Sequence, residues 1–122
     1  MARFRGKNTK PEMLVRQALH AGGRRFRLHR KDLPGKPDIA LAKDRTIVLV
    51  HGCFWHGHRG CQIARVPKTQ PSFWQEKFER NRQRDERVRL ALETLGWRVV
   101  VIWECEARSR RLPELLKDHG LI

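Results

Sequence analysis

Residues 46–61 read Thr-Ile-Val-Leu-Val-His-Gly-Cys-Phe-Trp-His-Gly-His-Arg-Gly-Cys, a strand-forming run that leads directly into a cluster of cysteines and histidines. The segment from Thr46 to Val50 is rich in β-branched residues and apolar on both faces, which predicts a central, buried strand. The stretch from His51 to Cys61 contains two of the three cysteines and three of the six histidines in the chain. The loop after this strand is therefore the first candidate for a functional site.

The cysteines and histidines of this loop have a spacing that suits a metal ion. Zinc prefers about four thiolate and imidazole ligands in a tetrahedron. Cys53, His58 and Cys61 would supply three ligands from one tight loop, and Cys105 would supply the fourth. The alternative is that Cys105 is a buried apolar residue and that the loop binds no metal. A zinc site would leave two histidines of the same loop available for catalysis.

The length and composition indicate a small protein of the cytoplasm. A chain of 122 residues predicts one domain over residues 1–122, in which residues 1–8 form a basic N-terminal arm. No apolar run approaches the ~20 residues needed to cross a bilayer, and the N-terminus lacks the apolar core of a signal peptide. We therefore expect a cytoplasmic, nucleoid-associated protein, in which cysteines favour metal binding over disulfides.

The charge of the chain predicts a nucleic-acid partner. There are 27 basic and 13 acidic side chains, which gives a net charge of +14, and the basic residues occur in every segment. A folded surface of this charge should attract phosphates in a salt-dependent manner. The alternative is a basic surface of the ribosomal type, and charge alone does not identify the nucleic acid.

The hydrophobic patterning predicts the order helix, three strands, helix, strand, helix. This order is typical of a small α/β or α+β domain with a mixed central sheet flanked by helices. A capping box, Thr9-Lys-Pro-Glu12, opens the first helix, and Gly22-Gly23 ends it. The predicted strands are 25–28, 38–42, 46–50 and 97–103, and the second and third helices are 71–95 and 112–119.

The long second helix has an apolar face with two polar interruptions. Positions 74, 78, 81, 85, 88, 92 and 95 follow a 4-3 spacing along that face. Asn81 and Asp85 interrupt it and should point inward. Because burial of an unpaired carboxylate is strongly unfavourable, Asp85 needs a partner or a polar cleft. A salt bridge to an arginine and a role in an active site both satisfy that requirement.

The Pro37-Asp38 pair lies between a turn and a strand, in the position of a recurring nuclease hairpin. In that hairpin the strand edge presents a carboxylate to a hard cation such as Mg²⁺. The second strand usually carries an acidic residue and a lysine, where this chain has Leu49, Val50 and His51. Histidine is therefore the expected substitute for the group that activates water.

Five segments, in order, resemble the very-short-patch repair (Vsr) endonucleases. They are Lys10-Pro-Glu-Met-Leu-Val-Arg16, residues 28–38, Val50-His-Gly-Cys-Phe-Trp-His56, Phe73-Trp74 with Asn81 and Arg84-Asp85, and residues 96–105. The His-Gly-Cys-Phe-Trp-His run is highly specific to that family. The resemblance implies a single-domain DNA nicking enzyme with a fold related to type II restriction endonucleases. Its substrate would be the T:G mismatch left by deamination of 5-methylcytosine, and it would cut 5′ to the mispaired thymine to initiate very short patch repair.

The resemblance also implies roles for individual residues. Asp38 would bind the catalytic Mg²⁺ with help from the main-chain carbonyl of Val50. His56 would be the general base, and Asp85 would orient it. His51 would contact the scissile phosphate.

The family's remaining positions map onto an acidic residue and three aromatic residues. Glu12 matches an acidic position near the metals, acting through water, although its place in the capping box also explains it. The family inserts aromatic side chains into the base stack beside the mismatch, and the matching residues are Phe54, Trp55 and Trp74. We expect the other two tryptophans, at positions 97 and 103, to lie in the core.

The implied cofactors are catalytic Mg²⁺ and structural Zn²⁺, and the implied partner is double-stranded DNA with a T:G mismatch. Mismatch-repair proteins are possible further partners, and a monomer suffices because the lesion is asymmetric. One alternative is a related nicking nuclease of different sequence or mismatch specificity. Another is a non-catalytic, zinc-stabilised DNA-binding module, against which Asp38, His56 and Asp85 argue, since binding alone needs none of them.

Overall fold

A four-stranded mixed sheet forms the centre of the computed structural model, which describes residues 9–56, 58, 60, 61 and 67–122. The predicted N-terminal arm, residues 1–8, lies outside the described residues. The strands are β1 (Arg27–Leu28), β2 (Ile39–Leu41), β3 (Thr46–His51) and β4 (Arg98–Trp103). The sheet order is β1-β2-β3-β4, with β1 and β2 antiparallel, β2 and β3 antiparallel, and β3 and β4 parallel.

The described part of the chain contains four α-helices and one 3-10 turn, Ala42–Asp44, between β2 and β3. The helices are α1 (Lys10–Ala21), α2 (Pro71–Thr94), α3 (Glu104–Ala107) and α4 (Leu112–Asp118). The Thr9 hydroxyl accepts a hydrogen bond from the Glu12 amide (3.3 Å), so Thr9 caps α1 as predicted. None of these helices is both long enough and apolar enough to cross a membrane.

The sheet separates two hydrophobic cores, because alternate residues of each strand point to opposite faces. One core contains Ile39, Leu41, Val48, Val100 and Ile102, and α1, α3 and α4 cover it. The other contains Ala40, Ile47 and Leu49, which pack with Leu92 of α2 and with Trp97. The structure therefore confirms the predicted α/β class and a central β3 that is buried on both faces.

The sequence pattern was wrong in three details of this fold. The predicted strand 25–28 is only two residues long, because only Arg27 and Leu28 pair with the short β2. Leu95 does not continue the apolar face of α2, since the helix ends before it and its side chain is 52% exposed. Helix α3 was not predicted, because a single turn is too short to leave a helical period.

The strand directions bring three chain segments to one edge of the sheet. The beginning of β2 lies beside the end of β3, and the end of β4 lies on the other side of β3. The Val50 amide donates to Asp38 Oδ2 (2.9 Å), and His51 is opposite Trp103 in the register. Asp38, the loop after His51 and the segment that contains Cys105 therefore meet at this edge.

The turn before Asp38 depends on a glycine that packs against α2. Gly35 has φ +73°, and a Cβ atom added there would lie 2.5 Å from Cγ1 of Val88. We predict that Gly35→Ala destabilises the fold more than Gly23→Ala, whose φ is +82° but whose added Cβ meets no atom within 4 Å. Both variants incur roughly 1 kcal/mol for the left-handed backbone, and only Gly35→Ala adds about 1–3 kcal/mol of overpacking.

Urea unfolding of both variants at one pH measures this difference. Equal losses of stability in the two variants would contradict a close-packed contact between this turn and α2.

Candidate active site and metal centre

Three clusters of metal-binding or acid–base side chains lie around this edge of the sheet. Within each cluster, one ligand atom from every residue lies within 4.8 Å of the others. The clusters found among the described residues are Cys53, His58, Cys61 and Cys105; His51, His56 and Asp85; and Glu12, His29 and Asp38. Every catalytic or metal-binding side chain predicted from the sequence thus belongs to one of them, and His29 is the member that the sequence did not indicate.

The second cluster is built around a histidine–carboxylate pair. His56 Nδ1 lies 2.5 Å from Asp85 Oδ2, and both side chains are largely buried. The partner that Asp85 required is therefore a histidine of the loop. Because the carboxylate binds the Nδ1 hydrogen, Nε2 is left as the basic nitrogen of the ring. This arrangement is suited to a general base.

His51 stacks on His56 and stays neutral. The two rings are parallel within 3°, with centroids 3.9 Å apart. Burial and, secondarily, the neighbouring His56 lower the pKa of His51 to about 4, although Asp85 acts in the opposite direction. At neutral pH, His51 therefore offers a hydrogen bond to a ligand but no positive charge.

Asp38 is held in an environment that disfavours its charge. Burial raises its pKa to about 6, an effect opposed by the hydrogen bond from the Val50 amide and increased by the neighbouring Glu12. The Glu12 side chain is only 2% exposed, and its Oε2 contacts His29 Nε2 (2.8 Å) and the Arg16 guanidinium. The carboxylate of Glu12 therefore takes part in a buried cluster, a role that its position in the helix cap did not require.

The second cluster and Asp38 line a common cleft of about 290 Å³. Lys36 and Arg84 also line this cleft, so cationic side chains stand beside the acidic and imidazole groups. A phosphodiester that entered the cleft would meet positive charge, a basic imidazole and a carboxylate together.

The Cys/His cluster joins the loop to the segment that follows β4. His58 Nδ1 lies 3.5 Å from Cys53 Sγ and 3.6 Å from Cys105 Sγ, and the Cys105 amide donates to Cys53 Sγ (3.4 Å). Burial raises the pKa of the Cys53 and Cys105 thiols. A buried thiolate is unfavourable on its own, because its negative charge lacks solvation. A bound metal ion would offset that cost, so the thiols grouped around the His58 imidazole can form a metal site.

Trp103 is part of the site and not of the core, contrary to the sequence-based prediction. Its indole ring stacks on His58 (4.0 Å between centroids) and meets His51 edge-on at 5.4 Å. Trp97, in contrast, is buried in the core as predicted. The parallel register that puts Trp103 opposite His51 depends on strand pairing, and the spacing of tryptophans in the sequence gave no sign of it.

The three aromatic residues predicted to contact DNA lie together. The Phe54 ring is 5.1 Å from Trp55, 5.4 Å from Trp74 and 5.2 Å from the buried Phe78. Asn81 donates to the main-chain oxygen of Trp55 (2.6 Å), which accounts for the polar interruption of the α2 face. These contacts fix the loop and the start of α2 as one aromatic surface.

Glu104 is a further residue that the sequence did not indicate. Its Oε1 accepts a hydrogen bond from the Cys53 amide (3.3 Å), so α3 holds the start of the loop. A glutamate in a single helical turn has no distinguishing sequence pattern.

The burial of Asp38 predicts a specific dependence of stability on pH. Its pKa is about 6 in the folded protein and ordinarily 3.8, so between these values the folded state binds more protons than the unfolded state. The contribution of Asp38 to stability therefore falls as pH rises through that window. Asp38→Asn removes this titration, and its amide oxygen can still accept from Val50. We expect the variant to be more stable than the wild type at neutral pH by on the order of 1 kcal/mol. This difference in the free energy of unfolding should become smaller as the pH falls towards 4.

Urea unfolding of both proteins across this pH range, without added divalent cations, tests the prediction. His51 titrates in an overlapping range with the opposite sign, because its folded pKa is lowered, but it is present in both proteins and cancels in the difference. A stability difference that does not change with pH would contradict the assignment.

Comparison with known proteins identifies the family. Residues 1–62 match the family model described as DNA mismatch endonuclease Vsr. A type II nicking enzyme of Xanthomonas oryzae, V.XorIIP, is 56% identical over 106 residues, which are 87% of this chain and 77% of the relative. The type II nicking enzyme V.NmeAIP of Neisseria meningitidis is 44% identical over 112 residues, covering 92% of this chain and 79% of the relative.

A third relative carries the family name itself. The DNA mismatch endonuclease Vsr of Escherichia coli is 40% identical over 115 residues, covering 94% of this chain and 71% of the relative. Matches of this extent include both the sheet edge and α2, which together build the cleft. The chain belongs to the Vsr family and is a DNA endonuclease.

Proposed function

We propose that this endonuclease nicks double-stranded DNA 5′ to the mispaired thymine of a T:G mismatch and so initiates very short patch repair of deaminated 5-methylcytosine. The observation that carries the proposed chemistry is the His56–Asp85 pair, which lines one cleft with Asp38. The choice of a mismatch as substrate is supported by the name of the Escherichia coli relative, and nicking by the names of the other two. A monomer suffices, because one asymmetric lesion needs one nick.

His56 is the proposed general base of the hydrolysis. Its Nε2 would accept a proton from the attacking water, and Asp85, bonded at Nδ1, would stabilise the resulting imidazolium. The neutral His51, stacked on His56, would donate a hydrogen bond to the scissile phosphate. Lys36 and Arg84 in the same cleft would attract the phosphate backbone.

Asp38 and Glu12 fit a site for Mg²⁺, which prefers oxygen ligands and keeps several waters. Glu12 is buried and Asp38 is partly buried. Desolvation and, to a smaller extent, the neighbouring Glu12 raise the pKa of Asp38, and a bound divalent cation would offset the cost of this negative charge. The Val50 amide points toward Asp38, and in a strand the carbonyl of the same residue is directed to the same side. Bound Mg²⁺ would neutralise charge on the phosphate and on the leaving oxygen.

The aromatic surface formed by Phe54, Trp55 and Trp74 is the proposed contact with the mismatched step. Stacking of bases on aromatic rings offsets the stacking that a wedge between bases removes. A mismatched step opens more easily than a paired one, so insertion itself would favour the lesion. The hydrogen bond from Asn81 holds the main chain of Trp55, which keeps this surface in place against the opened bases.

Zinc is the metal that we propose for Cys53, His58, Cys61 and Cys105. In a tetrahedral zinc site, the bond lengths to sulfur and nitrogen place these atoms about 3.6 Å apart. The separations from His58 Nδ1 to the sulfurs of Cys53 and Cys105, 3.5 and 3.6 Å, match that value. The role would be structural, because four protein ligands leave no open position for a substrate.

Replacement of a zinc ligand should weaken the attachment of the loop to the sheet. We predict that the purified protein contains about one zinc per chain and that Cys105→Ser lowers both the zinc content and the melting temperature, because metal binding contributes directly to folding. Elemental analysis and thermal unfolding measure the two effects. His20→Ala, at an exposed position on α1, is the matched control. An unchanged zinc content in Cys105→Ser would contradict the ligand set.

A nicking assay tests the proposed substrate and base together. Labelled duplexes with a T:G mismatch in methyltransferase-type sequences are compared with matched duplexes, with and without Mg²⁺. We expect a single nick beside the mispaired thymine that requires Mg²⁺, and a loss of at least ~100-fold in rate for His56→Ala and for Asp38→Ala. His20→Ala should retain the wild-type rate.

The other outcomes of this assay are informative. Efficient cutting of matched duplex would replace the mismatch specificity with the alternative of a nicking enzyme for a different sequence. Full activity of His56→Ala would remove the general-base assignment. Binding without cleavage across mismatches would contradict the proposed reaction.

A further inference from the structure

We propose that His29 is a positioning residue of the divalent-metal site: its imidazole holds the Glu12 carboxylate beside Asp38 and thereby sets the affinity of the site for the cation. This inference rests on the proposed function, which assigns Asp38 and Glu12 to Mg²⁺. His29 lies within residues 28–38, one of the segments that resemble the family, but that resemblance gave it no role.

The side chain of His29 joins two elements of the fold at a buried carboxylate. His29 Nε2 lies 2.8 Å from Glu12 Oε2, and the two side chains are 22% and 2% exposed. Arg16 contacts the same oxygen from one turn along α1, so this contact fixes the carboxylate relative to its own helix. The contact from His29 reaches Glu12 from the residue that follows β1.

The main chain of His29 contacts the other acidic residue of the cluster. Its amide donates to the Asp38 carbonyl (3.0 Å), one step beyond the last β1–β2 pair, Leu28 with Ile39. His29 also has φ +47°, in the left-handed region that residues other than glycine rarely occupy. Such a conformation persists only where the surroundings enforce it, and it often marks a functional site.

His29 therefore contacts both acidic residues, one through its side chain and one through its main chain. The main-chain bond fixes His29 to Asp38, and the imidazole then fixes Glu12, so that ligand atoms of all three lie within 4.8 Å of one another. Loss of the imidazole would leave Glu12 on α1 but remove this contact with the hairpin that carries Asp38. Groups that orient metal ligands typically change metal affinity by about 10- to 100-fold.

The test uses two substitutions of His29 whose side chains differ in length, so that only one of them can contact Glu12. His29→Asn keeps a residue that tolerates the left-handed backbone, but its side chain is too short to reach Glu12. His29→Gln places an amide N–H near the position of the imidazole Nε2 and should preserve the contact. Both keep the main-chain amide that bonds Asp38, and His20→Ala is the control for loss of an exposed histidine.

The primary measurement is Mn²⁺ binding to the full chain without DNA, followed by electron paramagnetic resonance. Mn²⁺ is the probe because it takes oxygen ligands as Mg²⁺ does. We expect His29→Asn to weaken binding by about 10-fold or more, and His29→Gln and His20→Ala to remain near the wild type. Asp38→Asn should abolish the same signal, which identifies the site, and thermal unfolding checks that each variant is folded.

Nicking assays at graded Mg²⁺ give a second readout. His29→Asn should need more Mg²⁺ for half-maximal rate but reach a rate near the wild type at saturation. The positioning role would be overturned if His29→Asn bound Mn²⁺ with unchanged affinity. It would also be overturned if His29→Gln bound Mn²⁺ as weakly as His29→Asn does. A wild type that fails to nick T:G duplexes would refute the proposed substrate, while the Mn²⁺ titrations would still decide the role of His29.

Discussion

The parallel pairing of β3 with β4 is the constraint on which the functional edge of this protein depends. It places Trp103 opposite His51 and brings Cys105 to Cys53, two residues that are 52 positions apart. Parallel neighbours cannot be joined by a tight turn, so a long crossover is obligatory, and α2 lies within it. That crossover helix passes the same edge and carries Asp85 to His56.

The loop after β3 is held at points that belong to different elements. Asn81 of α2 binds the main chain at Trp55, and Glu104 of α3 binds it at Cys53. The Cys/His cluster joins the loop to the chain beyond β4. His56 lies between these attachment points, so its ring has a fixed position before any substrate arrives. Preorganisation of this kind lets a base act without rearrangement in the reaction.

The electrostatic arrangement of the cleft has a cost in stability. Glu12 is a buried acidic group, Asp38 is partly buried, and His51 is buried without charge. Arg16 and His29 offset part of the cost at Glu12, and the Val50 amide does so at Asp38. The remaining cost is characteristic of functional sites, where charge is arranged for a ligand and not for the fold alone.

The sequence by itself determined the features that depend on local spacing: the capped first helix, the buried β3, the Cys/His cluster and the family motifs around Asp38, His56 and Asp85. It also showed that Asp85 needed a partner, and the family resemblance implied that this partner is His56. The tertiary structure supplied the contact between Asp85 and His56, at 2.5 Å. Only the tertiary structure decided that Trp103 leaves the core to stack on His58 and that His29 contacts both Glu12 and Asp38. The physical reason is that helical and strand periods are local properties of the chain. Contacts between elements depend instead on strand register and on the packing of helices, which residues far apart in the sequence set together.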